Sequence, residues 1–98
     1  MKIEFRSAKS FRRDYKKLSK SEIEDTDAVI KKLLNCETLD ASYNDHALHG
    51  NYDGYRECHV RPDLLLVYKR LLTGELLVIT VYRIGSHTSI FDISRSKK

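Results

Sequence analysis

Apolar positions change period partway along this chain, and the change splits it into a helical half and a stranded half. "KIEF" opens with a strand's short alternation, and "SFRRDYKKL" then sets Phe11, Tyr15 and Leu18 at i, i+4 and i+7, an amphipathic helix with a cationic outer face. A second helix is expected from "SEIE", where Ser21 is spaced to cap the amide of Glu24 while Glu24 reaches back, with Ile23, Ile30, Leu33 and Leu34 along one side. The two helices should form a hairpin. From Cys36 to Gly54 periodicity lapses among Asn, Asp and Gly, which reads as a loop. Connections this long are usually functional or mobile, and this one carries His46 and His49. "YRECHV", "LLLVYKRL" and "ELLVITVYRI" follow as three strands, joined by "RPD" and "LTG". Such short connections make them antiparallel neighbours, and the near-continuous apolar runs of the last two require cover on part of both faces. The expected class is α+β, a helical hairpin packed on a small antiparallel sheet.

The 98 residues suffice for one core, so residues 1–98 are expected to form a single domain. Apolar residues at 41% and charged residues at 33% exclude a disordered chain. The opening "MKIEFRSAKS" has no apolar signal region and no run approaches the ~20 apolar residues of a membrane span, so the expected location is the cytoplasm, with no membrane partner. Two cysteines, Cys36 and Cys58, are too few for a disulfide framework and are read as reduced thiols. Net charge is only +4, but its distribution is uneven. Residues 1–20 hold eight Lys/Arg against two acids, residues 21–63 four against ten, and residues 64–98 six against two. Basic ends around an acidic middle suit nucleic acid or an acidic protein, and equally a plain solvated helix face.

Chemistry concentrates in "DHALHGNYDGYRECHVRPD" and "RIGSHTSIF", which hold all four histidines. Alternation places Tyr55, Glu57 and His59 on one face of their strand and Arg56, Cys58 and Val60 on the other, so Cys58 is a core filler. In the last strand Leu77, Ile79, Val81 and Arg83 share a face, and Gly85 permits a bend before His87 and Phe91. Convergence at one sheet end would gather His46, His59, Asp63, Arg83 and His87, with Phe91 as an aromatic wall. Three readings are open: a metal site, for which His46-x-x-His49 is the only compact pair; solvated surface histidines; and acid–base catalysis, to which imidazole is suited near neutrality.

The run "DHALHGNYDGYRECHVRPDLLLVYK" followed by "YRIGSHTSIF" resembles the YafQ-type branch of the RelE/ParE superfamily of bacterial toxins, in detail over about residues 43–91. The resemblance implies a RelE-like microbial RNase fold and a ribosome-dependent endoribonuclease that cuts mRNA in the ribosomal A site, without metal or cofactor. It implies the ribosome, mRNA and a cognate acidic antitoxin of the RelB/DinJ type as partners. It assigns catalytic roles to His46, His59, Asp63, Arg83 and His87. Phe91, which by size alone could cap the core, is expected from the resemblance to stack on a base, and Arg56 and Arg61 either contact RNA phosphates or only solvate the strand ends. His87 is the expected general acid, Asp63 or His59 the base or the group orienting it, His46 a phosphate or proton-transfer contact, and Arg83 the transition-state clamp. Where some relatives have Trp after the Asp, this chain has Leu64, so base stacking is not carried over to that position. The ParE branch of the same scaffold acts on DNA gyrase without cutting RNA, which makes a non-catalytic binder the alternative.

Overall fold

In the structure, a computed structural model describing residues 2–91, the sheet has five strands in the order β1-β5-β4-β3-β2. In chain order the elements are β1 (Lys2–Ser7), α1 (Lys9–Tyr15), α2 (Lys20–Leu34), β2 (His46–Ala47), β3 (Arg56–Arg61), β4 (Leu64–Thr73), β5 (Leu76–Gly85) and α3 (His87–Phe91), with 3₁₀ turns at Ala41–Tyr43 and Gly50–Tyr52. The three predicted C-terminal strands pair antiparallel as expected. The sheet as a whole is mixed, because β1 joins the edge parallel to β5, from Lys2 opposite Leu76 to Ser7 opposite Val81. The basic tail "SRSKK" lies outside the described residues. Among the described residues no helix is long and apolar enough to cross a membrane.

Helix α2 begins two residues earlier than the sequence pattern suggested. Ser19, not Ser21, is the N-cap: its Oγ accepts from the Glu22 amide at 3.2 Å, and Glu22 Oε1 accepts from the Ser19 amide at 2.8 Å. "SKSEIE" contains two overlapping cap frames, and the earlier one adds helical residues whose backbone bonds favour it. The buried stripe of α2 is accordingly Thr26, Val29, Ile30 and Leu33, while Ile23 and Leu34 stay half-buried.

Two apolar clusters sandwich the sheet. On one face Phe11 of α1 and Val29, Ile30 and Leu33 of α2 pack on Cys58, Leu66, Tyr68, Leu77, Ile79, Val81 and Ile84. Burying each such side chain contributes roughly 1.5–3 kcal/mol, so this cluster fixes where the helices sit. The other face carries Leu65, Val67 and Ile90, with Leu48, Tyr52, Tyr55, Tyr82 and Phe91 packed around them. Strand β5 serves both because a bulge interrupts its alternation: Tyr68 opposes Val81, Val67 opposes Arg83, and Tyr82 is the extra residue. Arg83 therefore leaves the Leu77–Ile79–Val81 row predicted for it, and Ile84 continues that row into the helix-side core.

Candidate active site

Strand register assembles the candidate site as two adjacent rows. His46 opposes Glu57 across β2–β3, Glu57 opposes Val67 across β3–β4, and Val67 opposes Arg83 across β4–β5. The next row runs from His59 through Leu65 to Gly85, two residues before His87. With neighbouring strands ~4.8 Å apart, His59 and the start of the His87 segment stand roughly 10 Å apart along the row. His59 and Glu57 share the sheet face that bears Leu65 and Val67, opposite α1 and α2.

The centre of the first row is a buried carboxylate between two imidazoles. Glu57 Oε2 lies 3.2 Å from His46 Nε2 and 3.7 Å from His59 Nε2, and the Glu57 side chain is 7% exposed. His46 Nδ1 sits 2.7 Å from the carbonyl oxygen of Asn44, so both ring nitrogens are engaged and the ring orientation is fixed. His46 owes its position to β2, a two-residue strand inside the segment that the sequence presented as a loop. Asp45 fastens β2 from below: its Oδ1 accepts from Tyr68 Oη at 2.8 Å and from Arg56 Nε at 3.2 Å. Burial, followed by the bond to Asp45, pushes the Tyr68 phenol well above its ordinary pKa, so it stays a donor.

Around α3, the His87 and Phe91 rings lie 5.2 Å apart at a tilt of 52°, and Phe91 meets Tyr52 edge-on at 5.1 Å. Tyr55 and Tyr82 lie 5.0 Å apart beside them. This makes an aromatic shelf of Phe91, Tyr52, Tyr55 and Tyr82 on the face of His59, with His87 exposed at its end. Arg83 reaches instead to α1, where Nε donates to Asp14 Oδ2 at 2.6 Å and Nη2 to Asp14 Oδ1 at 3.2 Å.

The remaining predicted residues are placed apart. Asp63 is exposed in the β3–β4 turn and makes no hydrogen bond or ion pair among the described residues. Arg56 is taken up by Asp45 on the helix side of the sheet, and Arg61 donates to Asp25 at 2.7 Å and to Ser21 at 3.1 Å. His49 is exposed. Cys58 is fully buried on the helix side, where burial above all drives its thiol up to about 12. Among the described residues no group of three or more His, Cys, Asp or Glu side chains is arranged to hold a metal ion. Glu57, Asp45 and Asp14 are the members of the site that the sequence pattern had not singled out. Glu57 carried a signal, its alternation with His59 in "YRECHV"; the other two become visible only through long-range pairing.

A mixed sheet backed by two helices, with imidazoles, a buried carboxylate and aromatic rings on its other face, has the architecture of the small α+β toxins of bacterial toxin–antitoxin systems. The YoeB/ParE toxin from Agrobacterium tumefaciens shares that fold, with a TM-score of 0.70 over 89% of this chain and 99% of its own at 18% identity. The family model described as "Bacterial toxin of type II toxin-antitoxin system, YafQ" matches residues 3–92, and the chain belongs to that family. One relative, the mRNA interferase toxin YafQ of Escherichia coli K12, is 47% identical over 53 residues, 54% of this chain and 53% of that protein. The chain thus spans about half the length of the curated relatives it matches. In the crystal structure of the E. coli DinJ-YafQ toxin-antitoxin complex, the matching chain aligns with a TM-score of 0.76 and 32% identity, over 93% of this chain and 99% of that one.

Proposed function

We propose that this toxin is a ribosome-dependent endoribonuclease that cuts mRNA in the A site by metal-independent acid–base catalysis and is held inactive by a cognate acidic antitoxin. The observation that carries the reading is the Glu57 carboxylate between His46 and His59, one row away from the His87 segment on the same sheet face. A binding module has no use for imidazoles oriented by a buried carboxylate. A ribonuclease needs a base at the 2′-hydroxyl, an acid at the departing 5′-oxygen and positive charge against the phosphorane.

In this mechanism the RNA's own 2′-oxygen attacks the adjacent phosphorus, and the bond to the 5′-oxygen breaks, leaving a 2′,3′-cyclic phosphate. His59, oriented by Glu57, accepts the 2′-hydroxyl proton, with Asp63 at the nearby turn as the other candidate base. His87 protonates the 5′-oxygen, His46 contacts the phosphate, and Arg83 stabilises the charge that builds on it. Phe91 supplies a stacking surface for the base beside the scissile bond. The mechanism draws no contact with the scissile phosphate from Arg56 or Arg61, which turn toward the helix side of the sheet, Arg56 beside Tyr68 and Asp45 and Arg61 to Asp25 and Ser21 of α2.

The test is to map transcript 5′ ends after brief induction of the wild-type protein and of His87→Ala. Discrete cleavage in phase with codons, abolished in the variant while antitoxin binding persists, is the expected result. Growth arrest at wild-type strength by His87→Ala would overturn the catalytic assignment, and arrest without cleavage would favour a binder of the ParE type. Mass spectrometry of the active purified toxin should find no stoichiometric metal; activity that tracks metal content would refute metal independence.

A further inference from the structure

Arg83 is bound by Asp14 in a specific way. Asp14 takes the Nε–Nη2 edge of the guanidinium through both carboxylate oxygens, at 2.6 and 3.2 Å, and its Oδ2 also accepts from the Ile84 amide at 3.1 Å. A guanidinium has five N–H groups in a rigid fork. Two are used here, and the others, on Nη1 and the far side of Nη2, make no bond among the described residues. Arg83 and Asp14 line a cleft of about 500 Å³ between α1 and α3, with Lys17, Leu18, Gly85 and Ser89. That volume is within the range of small-ligand sites and suits a single nucleotide. A Cβ on Gly85 would stand 2.7 Å from Ser89 Oγ, so the bare backbone there sets how closely α3 approaches the strand end.

We infer that Asp14 is a positioning residue: it grips one edge of Arg83 and thereby presents the opposite edge to the scissile phosphate, at the end of the row that runs from His46 and Glu57 through Val67 to Arg83. The inference rests on the ribonuclease reading above and extends it to a residue of α1. An unheld arginine samples many rotamers, and holding one edge while leaving two nitrogens open converts it into a directed phosphate clamp. Asp14 touches no reacting atom; it acts through Arg83. Its bond to the Ile84 amide also supports the β5 bulge, which is the competing, purely structural role.

A double-mutant cycle separates the two roles, using cleavage of a defined mRNA on purified ribosomes together with melting temperature. Arg83→Ala should lower kcat by about 10²-fold, as loss of a transition-state donor does. Asp14→Asn, nearly isosteric and still able to accept from the Ile84 amide, should lower kcat by about tenfold with KM changed less than ~2-fold. In the Arg83→Ala background the same change should alter kcat by less than ~2-fold, because nothing is left to position. Asp14→Glu, which keeps the charge on a longer arm, should recover part of the loss and serves as the second variant if Asp14→Asn melts below the assay temperature. An unchanged kcat in Asp14→Asn, or an equal loss with and without Arg83, would overturn the inference while leaving the ribonuclease reading intact. If the wild-type protein shows no His87-dependent cleavage, the ribonuclease reading fails and the inference fails with it.

Discussion

Asp45→Ala is the most informative perturbation of the scaffold, because one side chain ties the two-residue β2 to the buried side of the sheet. Its removal strands two donors. Tyr68 is 1% exposed, and its phenol would lose its only acceptor among the described residues, at a cost of about 1–3 kcal/mol. Arg56 has a side chain 38% exposed and can turn to solvent, which limits its share to under about 1 kcal/mol. The sum is roughly 1–4 kcal/mol, with about 2–3 kcal/mol at its centre. For a domain near 100 residues each kcal/mol moves the melting temperature by about 4–8 °C, so Asp45→Ala should lower it by about 10–20 °C. Tyr68→Phe alone should cost about 1 kcal/mol, and added to Asp45→Ala it should restore stability by eliminating the orphaned hydroxyl. Thermal denaturation followed by circular dichroism measures all three variants. A fall below about 4 °C for Asp45→Ala, or strict additivity with Tyr68→Phe, would refute this account of how β2 and His46 are held.

Three further outcomes follow from the same geometry. Glu57→Gln keeps the shape and one acceptor but loses the charge between His46 and His59; cleavage should slow at least tenfold while the melting temperature holds or rises, as a buried charge has been removed, and an unchanged rate would exclude Glu57 from the mechanism. Gly85→Ala should crowd Ser89 Oγ, break its bond to the Ser86 carbonyl and slow cleavage by displacing α3, and adding Ser89→Ala should restore it; failure of the pair to recover would locate the damage elsewhere. Tyr15, whose hydroxyl donates to Asp27, is pushed up to about 12, so the stability it confers is complete below pH ~10 and is lost as pH rises through about 12, while burial and Asp45 also raise Tyr68, which keeps its contribution into alkaline pH. Absorbance titration at alkaline pH should show late-ionising tyrosine that diminishes in Tyr68→Phe.

Much of this architecture was legible in the sequence, and what was not shares a physical cause. Both helices and the three C-terminal strands follow from periodicity, since each buries one stripe against the same core. The parallel placement of β1 does not, because no local pattern records which distant strand an edge will join. The β5 bulge was hidden for a similar reason: "VITVYRI" alternates well enough by itself, and only pairing with Val67 and Tyr68 shows that Tyr82 is the extra residue. Among site residues, convergence at one sheet end was expected for His46, His59, Asp63, Arg83 and His87; the register puts His46, His59 and Arg83 in adjacent rows with the His87 segment at their end, while Asp63 stays exposed in the β3–β4 turn. Asp14 looked like an ordinary polar position on a cationic helix, because its partner Arg83 lies 69 residues away. Residue type could not distinguish Arg83, held beside a cleft, from Arg56 and Arg61, which carry the same charge into pairs with Asp45 and Asp25.

The pairing of β1 with β5 has a bearing on the order in which the chain can assemble. Strand β1 waits for β5, more than seventy residues further along the chain, before their parallel pairing can form, and Asp14 likewise waits for Arg83. Contacts spanning most of the chain form late and slowly. The edge strand and the Asp14–Arg83 pair therefore reach their final setting only once the most distant pairings of the sheet are in place, so the end of the histidine row is among the last parts of the fold to be fixed.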